Sequence, residues 1–115
     1  MTHTTLHIER RNGNYDVTRR TKLASGYTDT QAIAHITRYT IEEAATYFGT
    51  DVLKWYDPED DTETIKQLVS AMAYSRGGFV YEIIPADGYL SENLPEVRWH
   101  SSIQEAKNAC FTCGY

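Results

Sequence analysis

At 115 residues, with 41% hydrophobic and 23% charged side chains and a formal net charge of −5, the chain has the profile of one ordinary globular domain, expected to span residues 1–115. That composition excludes disorder along the whole chain, and no apolar run approaches the roughly 18 residues a membrane span needs. The polar start from Met1 to Thr5 lacks the basic and then apolar build of a secretory signal, so the cytoplasm is the expected address.

Residues 5–20 read as a β-hairpin. Asn12-Gly13 suits a two-residue type I′ turn, because both of its central positions need positive φ. Closing the turn there opposes Arg11 with Asn14, Arg10 with Tyr15, Glu9 with Asp16 and Ile8 with Val17. Leu6, Ile8, Tyr15 and Val17 then share an apolar face, as a half-buried sheet requires. Glu9 against Asp16 is a like-charge cost that Arg11 is placed to relieve. Ser25-Gly26 marks a loop. Residues 29–39 fit two patterns: Ala32, Ile33 and Ile36 suit a short helix, while Ile33, His35, Thr37 and Tyr39 alternate as a strand. The helix is the expectation adopted.

Thr40 and Glu43 form a capping-box pattern for a helix from Ile41 to Phe48 that Gly49 stops. Asp57 to Asp61 is a charged loop containing Pro58. A helix over about residues 62–75 repeats apolar groups at Ile65, Leu68, Val69 and Met72, the stripe of a helix lying on a core. Gly77-Gly78 ends it, and Phe79 to Ile84 is a strand by β-branched and aromatic content. Val97 and Trp99 suggest a short further strand. Ser101 or Ser102 caps a last helix, with Gln104 or Glu105 three residues on and an inner stripe of Ile103, Ala106 and Ala109 or Cys110. The expected fold is α+β: a small antiparallel sheet, made of the N-terminal hairpin plus two further strands, covered by three to four helices on one face.

Chemistry is sparse. Cys110 and Cys113 stand after the last expected helix, where loose terminal thiols are the plain reading; a half zinc site completed by His100 or by a second copy is the sharper one. His3, His7, His35 and His100 form no metal-binding spacing. No nucleophile elbow, phosphate loop or dinucleotide fingerprint occurs, so the chain reads as non-enzymatic, with no catalytic residue, no cofactor and no metal.

Charge is split along the chain. Residues 1–40 sum to +3 and residues 41–115 to −8. Asp57, Glu59, Asp60, Asp61 and Glu63 crowd one short stretch, without the glycine and ligand spacing of a calcium loop. Beside them stand Trp55 and Tyr56, two of a generous aromatic set that one small core cannot absorb, and a type of residue that anchors interfaces. Trp55, Tyr56, Asp57, Glu59, Asp60, Asp61 and Glu63 are therefore the candidate partner-binding surface. Arg10, Arg11, Arg19, Arg20 and Lys22 are expected to cluster at one end of the two hairpin strands and are the alternative site, a phosphate-binding ribbon. The acidic total, pI about 5.3, argues against direct nucleic-acid binding.

In size, acidic balance and aromatic content the chain resembles small phage-encoded inhibitors of bacterial defence systems, the anti-CRISPR and anti-restriction proteins. Residues Trp55 to Glu63 and the split charge carry that resemblance. It implies a non-enzymatic inhibitor acting in the bacterial host cytoplasm, whose acidic face blocks a nucleic-acid-targeting protein or ribonucleoprotein complex. A small nucleic-acid-binding or regulatory module using the basic hairpin is the competing expectation.

Overall fold

The structure, a computed structural model, describes residues 3–113. The first hairpin has the expected register. Strand β1 (His3–Arg11) pairs antiparallel with β2 (Asn14–Lys22), Arg11 lying opposite Asn14 and Ile8 opposite Val17. Asn12 and Gly13 both take positive φ, 50° and 85°, which matches the turn to the right-handed twist of its strands.

Residues 28–40 correct the expectation of a helix over 29–39: they form β3 (Thr28–Thr40), the longest strand. Its pairing slips between Val17 and Thr18 of β2, so Val17 opposes Ala34 and Thr18 opposes Ala32. Ile33 is the extra residue of this β-bulge, and Ile33, Ala34 and Ile36 are all fully buried. The bulge breaks the period of two, which is why the apolar spacing imitates a helical stripe. The Ala86 N–H donates to the Ile33 carbonyl (3.1 Å), so the irregular backbone is satisfied.

Three helices follow. Helix α1 (Ile41–Ala45) starts at the expected capping box, with the Glu43 N–H donating to Thr40 Oγ1 and the Thr40 N–H to the Glu43 carboxylate. It stops three residues before the expected Phe48, where the Thr46 hydroxyl bonds back to the carbonyls of Glu42 and Glu43. A single turn, α2 (Val52–Trp55), is capped by Asp51 and has no counterpart in the sequence reading. Helix α3 (Glu63–Tyr74) buries Leu68, Ala71 and Met72, with Ile65 and Val69 half-buried beside them. Strand β4 (Phe79–Pro85), the two-residue β5 (Trp99–His100) and α4 (Ile103–Cys113) complete the chain, the last started by Ser102, whose hydroxyl accepts from the Glu105 N–H.

The five strands form one antiparallel sheet in the order β1-β2-β3-β4-β5. The α+β architecture holds, with β3 inserted between the hairpin and the later strands. The expected one-sided cover does not. Cross-strand partners share a face, and their alternation sorts the core into two layers. Val17, Ile36 and Ile83 pack with Ala106 and Cys110 of α4, whereas Val80, Trp99 and Tyr39 pack with α1, α2 and α3. Each fully buried Ile or Leu contributes about 1.5–3 kcal/mol, so the sheet is held by two comparable cores. A strand with an apolar residue on both faces, such as Val80 and Ile83 in β4, requires cover on both sides.

Pairing of β3 with β4 begins only at Ala34 opposite Pro85. Residues Thr28 to Ala32 pair with β2 alone and are exposed. The hairpin and this half of β3 thus form an arm projecting past the helices, and the molecule measures 56 × 28 × 21 Å.

Candidate functional site

The segment from Phe48 to Glu63 presents apolar and acidic groups side by side. Asp51 caps α2 by accepting from the Leu53 N–H (3.0 Å), and the short turn aims side chains outward. Leu53 is 55% exposed and Trp55 39% exposed, and Phe48 is also exposed. The Trp55 indole N–H donates to the Thr50 hydroxyl (2.8 Å), which fixes the ring on the surface with its polar atom satisfied. Tyr56 is half-buried.

The acidic loop begins at the next residue and divides its carboxylates between two tasks. Asp57 accepts from the Glu59 N–H (2.9 Å), and Asp61 accepts from the Asp57 N–H; these two carboxylates shape the loop as Asx turns do. Thr62 then caps α3, its hydroxyl accepting from the Ile65 N–H (3.4 Å). Glu59, Asp60 and Glu63 are exposed, and Glu63 lies in the first turn of α3, where the helix dipole favours an anion. Among the described residues the ion pairs are Arg11–Asp16 and Arg20–Glu9, and the His35 ring hydrogen-bonds the Asp16 carboxylate; none of these contacts is in this loop. Lys54 and Lys66, its nearest cations in sequence, form no ion pair with it. The seven candidate residues Trp55, Tyr56, Asp57, Glu59, Asp60, Asp61 and Glu63 thus lie along one turn and loop, and among the described residues no cation forms an ion pair with their carboxylates.

The basic residues are placed differently from the expected cluster. Arg11 lies at the turn, opposite Asn14, and Lys22 at the far end of the hairpin, opposite His3. Alternation also divides them between faces: Arg10 and Arg19 share the α4 face, while Arg11, Arg20 and Lys22 share the other. Arg11 is 3.6 Å from Asp16 and Arg20 is 3.1 Å from Glu9, which relieves the cross-strand contact of Glu9 with Asp16. The Arg19 guanidinium donates to the Gln31 side-chain carbonyl. Adjacency along the chain hides this separation, because consecutive arginines in a strand, Arg10 and Arg11 or Arg19 and Arg20, point to opposite faces.

A polar node lies under α1. The hydroxyls of Tyr39 and Tyr47 both donate to the Glu82 carboxylate at 3.1–3.2 Å, and Trp99 packs against both rings, tilted to Tyr39 and edge-to-face with Tyr47, with centroids 5.5 and 5.0 Å away. Burial pushes the Glu82 carboxyl above its ordinary range, and the two phenols partly offset this. Burial, then the neighbouring Glu82 charge, pushes the Tyr39 phenol up. The indole N–H of Trp99 is buried without a hydrogen-bond partner. The helix expected over 29–39 hid this node, because only the strand pairing of β3 with β4 brings Tyr39 beside Glu82.

Helix α4 runs through Cys113, so the Cys-Phe-Thr-Cys element occupies its last turn and does not follow it. Cys110 is buried on the inner stripe against Ile36 and Ile83, which corrects the reading of a loose terminal thiol. A cysteine at a helix C-terminus meets the negative end of the dipole, the reverse of a redox-activated thiol. The Cys113 side chain, and with it any pairing of the two thiols, lies outside the described residues. His100, pushed below the usual histidine range chiefly by burial, hydrogen-bonds the Val97 carbonyl (2.9 Å). Among the described residues no three His, Cys, Asp or Glu side chains are grouped to hold a metal ion.

A concavity of about 710 Å³ forms an open groove on the α4 face of the arm, between Arg19 and Gln31 on the floor and Tyr89, Leu90 and Glu92 in the segment after β4. A smaller one of about 310 Å³ continues it across Thr4, Thr21 and Asp29. Among the described residues no helix is long and apolar enough to cross a membrane. No protein-family model, no curated protein and no solved structure matches the chain.

Proposed function

We propose that this chain is a non-enzymatic binding protein that covers a basic, nucleic-acid-binding surface of a partner with the segment from Phe48 to Glu63. One observation carries the reading: a stretch of five carboxylates, with no ion pair to a cation among the described residues, adjoins the exposed Leu53 and Trp55. Such a surface combines the two terms of protein recognition. The acids steer a basic partner at long range and suppress other partners. The apolar side chains supply the buried centre that gives a complex its lifetime. Glu59, Asp60 and Glu63 act as the phosphate-like charges, and Asp57 and Asp61 keep the loop in shape. In the form suggested by the resemblance to phage-encoded inhibitors, the partner is a bacterial defence complex, and occupancy excludes its nucleic-acid target.

The experiment is a titration of the purified protein into CRISPR effector and restriction complexes while their binding of labelled DNA is followed. Loss of DNA binding at one equivalent, with co-elution of the two proteins, is the expected result. Undiminished DNA binding across the panel at a large excess of the protein would remove the inhibitor reading. The basic-hairpin alternative finds less support, because two of its five cations are already engaged by Glu9 and Asp16.

A further inference from the structure

The sheet has a notch. Strand β4 ends at Pro85, and beyond Ala86 the chain turns onto the α4 face, so nothing continues β4 alongside Thr28 to Ala32. Antiparallel ladders alternate between bonded and unbonded pairs, and the two-residue turn at Asn12-Gly13 sets the phase. Counting from it, the odd-numbered residues of β2 bond to β3, consistent with the Leu23 N–H donating to the Tyr27 carbonyl (2.8 Å) at the next turn. Past the bulge, Asp29 and Gln31 therefore face β2. Thr28, Thr30 and Ala32 turn their N–H and C=O groups into the notch. Such a row of backbone groups is a template for another strand. It contains no proline, no bulge and no covering helix, and its one charged side chain is Asp29.

Both ends of the notch carry unexplained exposed apolar groups. At the arm's tip, Tyr27 is 78% exposed and Leu23 is exposed beside it. At the body end, Leu90 is 60% exposed and, with Tyr89, walls the 710 Å³ groove. Alternation puts Tyr27 on the α4 face with Asp29 and Gln31, the same face that carries the Tyr89–Leu90 loop.

We propose that a second copy of this chain fills the notch, pairing β3 with β3 antiparallel about a two-fold axis at Thr30. That axis opposes Thr28 with the partner's Ala32 and Asp29 with the partner's Gln31. All outward backbone groups of Thr28, Thr30 and Ala32 find partners, because the bonded phase is the same in both copies. A five-residue strand is about 16 Å long, so the tip of each arm reaches the body of the other. The ladder ends at the Thr28–Ala32 pair, because Ala86 already occupies the place beside Ile33; Tyr27 and Leu23 of one copy leave the strand there and meet the turn from Ala86 to Leu90 of the other. This self-complementarity of both ends of one surface is what an isologous contact requires, and it singles out a second copy over an unrelated peptide. The surface is separate from the Phe48–Glu63 segment, so the dimer presents two acidic faces, and the proposal stands or falls independently of the function assigned to them.

The test uses sedimentation of the intact chain from micromolar to millimolar concentration, paired with amide hydrogen exchange. A dimer is expected, with protection of the Thr28, Thr30 and Ala32 amides rising with concentration while Asp29 and Gln31 stay protected throughout. Thr30→Pro removes an N–H that faces the notch and leaves the ladder to β2 intact, so it should abolish dimerisation. Tyr27→Ser, at an exposed position that folding does not need, should weaken it at least about tenfold. A monomer throughout the range, or a dimer that both variants leave unchanged, overturns the proposal; so does a dimer whose formation leaves those three amides unprotected.

Discussion

Replacing Tyr39 by Phe deletes one hydroxyl from the node under α1 and leaves the ring against Trp99. The lost bond is charge-assisted, a class that contributes about 1.5–3 kcal/mol. Two features of the site reduce the figure: the bond is 3.2 Å long, and Glu82 is half-buried and keeps the Tyr47 hydroxyl. A destabilisation of about 1–1.5 kcal/mol at neutral pH follows, a fall of roughly 5 °C in Tm for a domain of this size. The pH dependence is the sharper signature. Burial holds the Glu82 carboxyl above the ordinary glutamate range, so in the folded state the ionised form carries a cost at neutral pH. That cost lifts as pH falls through the folded pKa and the carboxyl takes up a proton. Losing the Tyr39 bond raises the folded pKa further. The deficit of the variant is therefore full near neutrality and shrinks on acidification, as the proton relieves the carboxylate in both proteins. Urea unfolding of both proteins at about pH 7 and about pH 4.5 measures it, since the other carboxylates titrate alike in the two and cancel. A deficit of equal size at both pH values, or none at neutral pH, would refute this account of the node.

Three further outcomes are expected from the fold. Gly13→Ala places a Cβ on a residue at φ 85°, 3.3 Å from the Arg38 guanidinium, and should cost about 1–2 kcal/mol in denaturant unfolding. Thr40→Ala removes the hydroxyl that caps α1 and should cost about 1 kcal/mol, read as a lower Tm. Leu68→Ala opens a cavity where α3 meets the sheet and should cost about 2–5 kcal/mol, with slopes of the unfolding curve unchanged.

Much of the fold was legible because local chemistry and tertiary structure agree in most segments. Asn12-Gly13 dictates a turn that no neighbour overrides, and Thr40 with Glu43 closes its own hydrogen bonds. Segment 29–39 failed because a bulge put two consecutive apolar residues, Ile33 and Ala34, into the core, which only pairing with β2 can cause. The two-sided helix cover was hidden for a related reason: β4 is too short for its apolar residues to reveal which face each serves. Trp55 to Glu63 stay together in space because the chain there is a short turn and a loop, so sequence neighbours remain spatial neighbours. The arginines are in strands, where adjacency in sequence means opposite faces, and their cluster dissolved. Glu82 was invisible because its partners Tyr39 and Tyr47 come from 43 and 35 residues away.

The proposed function is tested most directly by making the exposed acids of the loop neutral without changing their shape. Glu59→Gln, Asp60→Asn and Glu63→Gln together spare Asp57 and Asp61, whose carboxylates hold the loop, so the fold should persist by circular dichroism. Association of this triple variant with a nucleic-acid-binding partner of the native protein should be slower by an order of magnitude or more, and the native rate should fall steeply with added salt. An association rate equal to that of the native protein, and equally indifferent to salt, would show that the acidic face does not carry recognition.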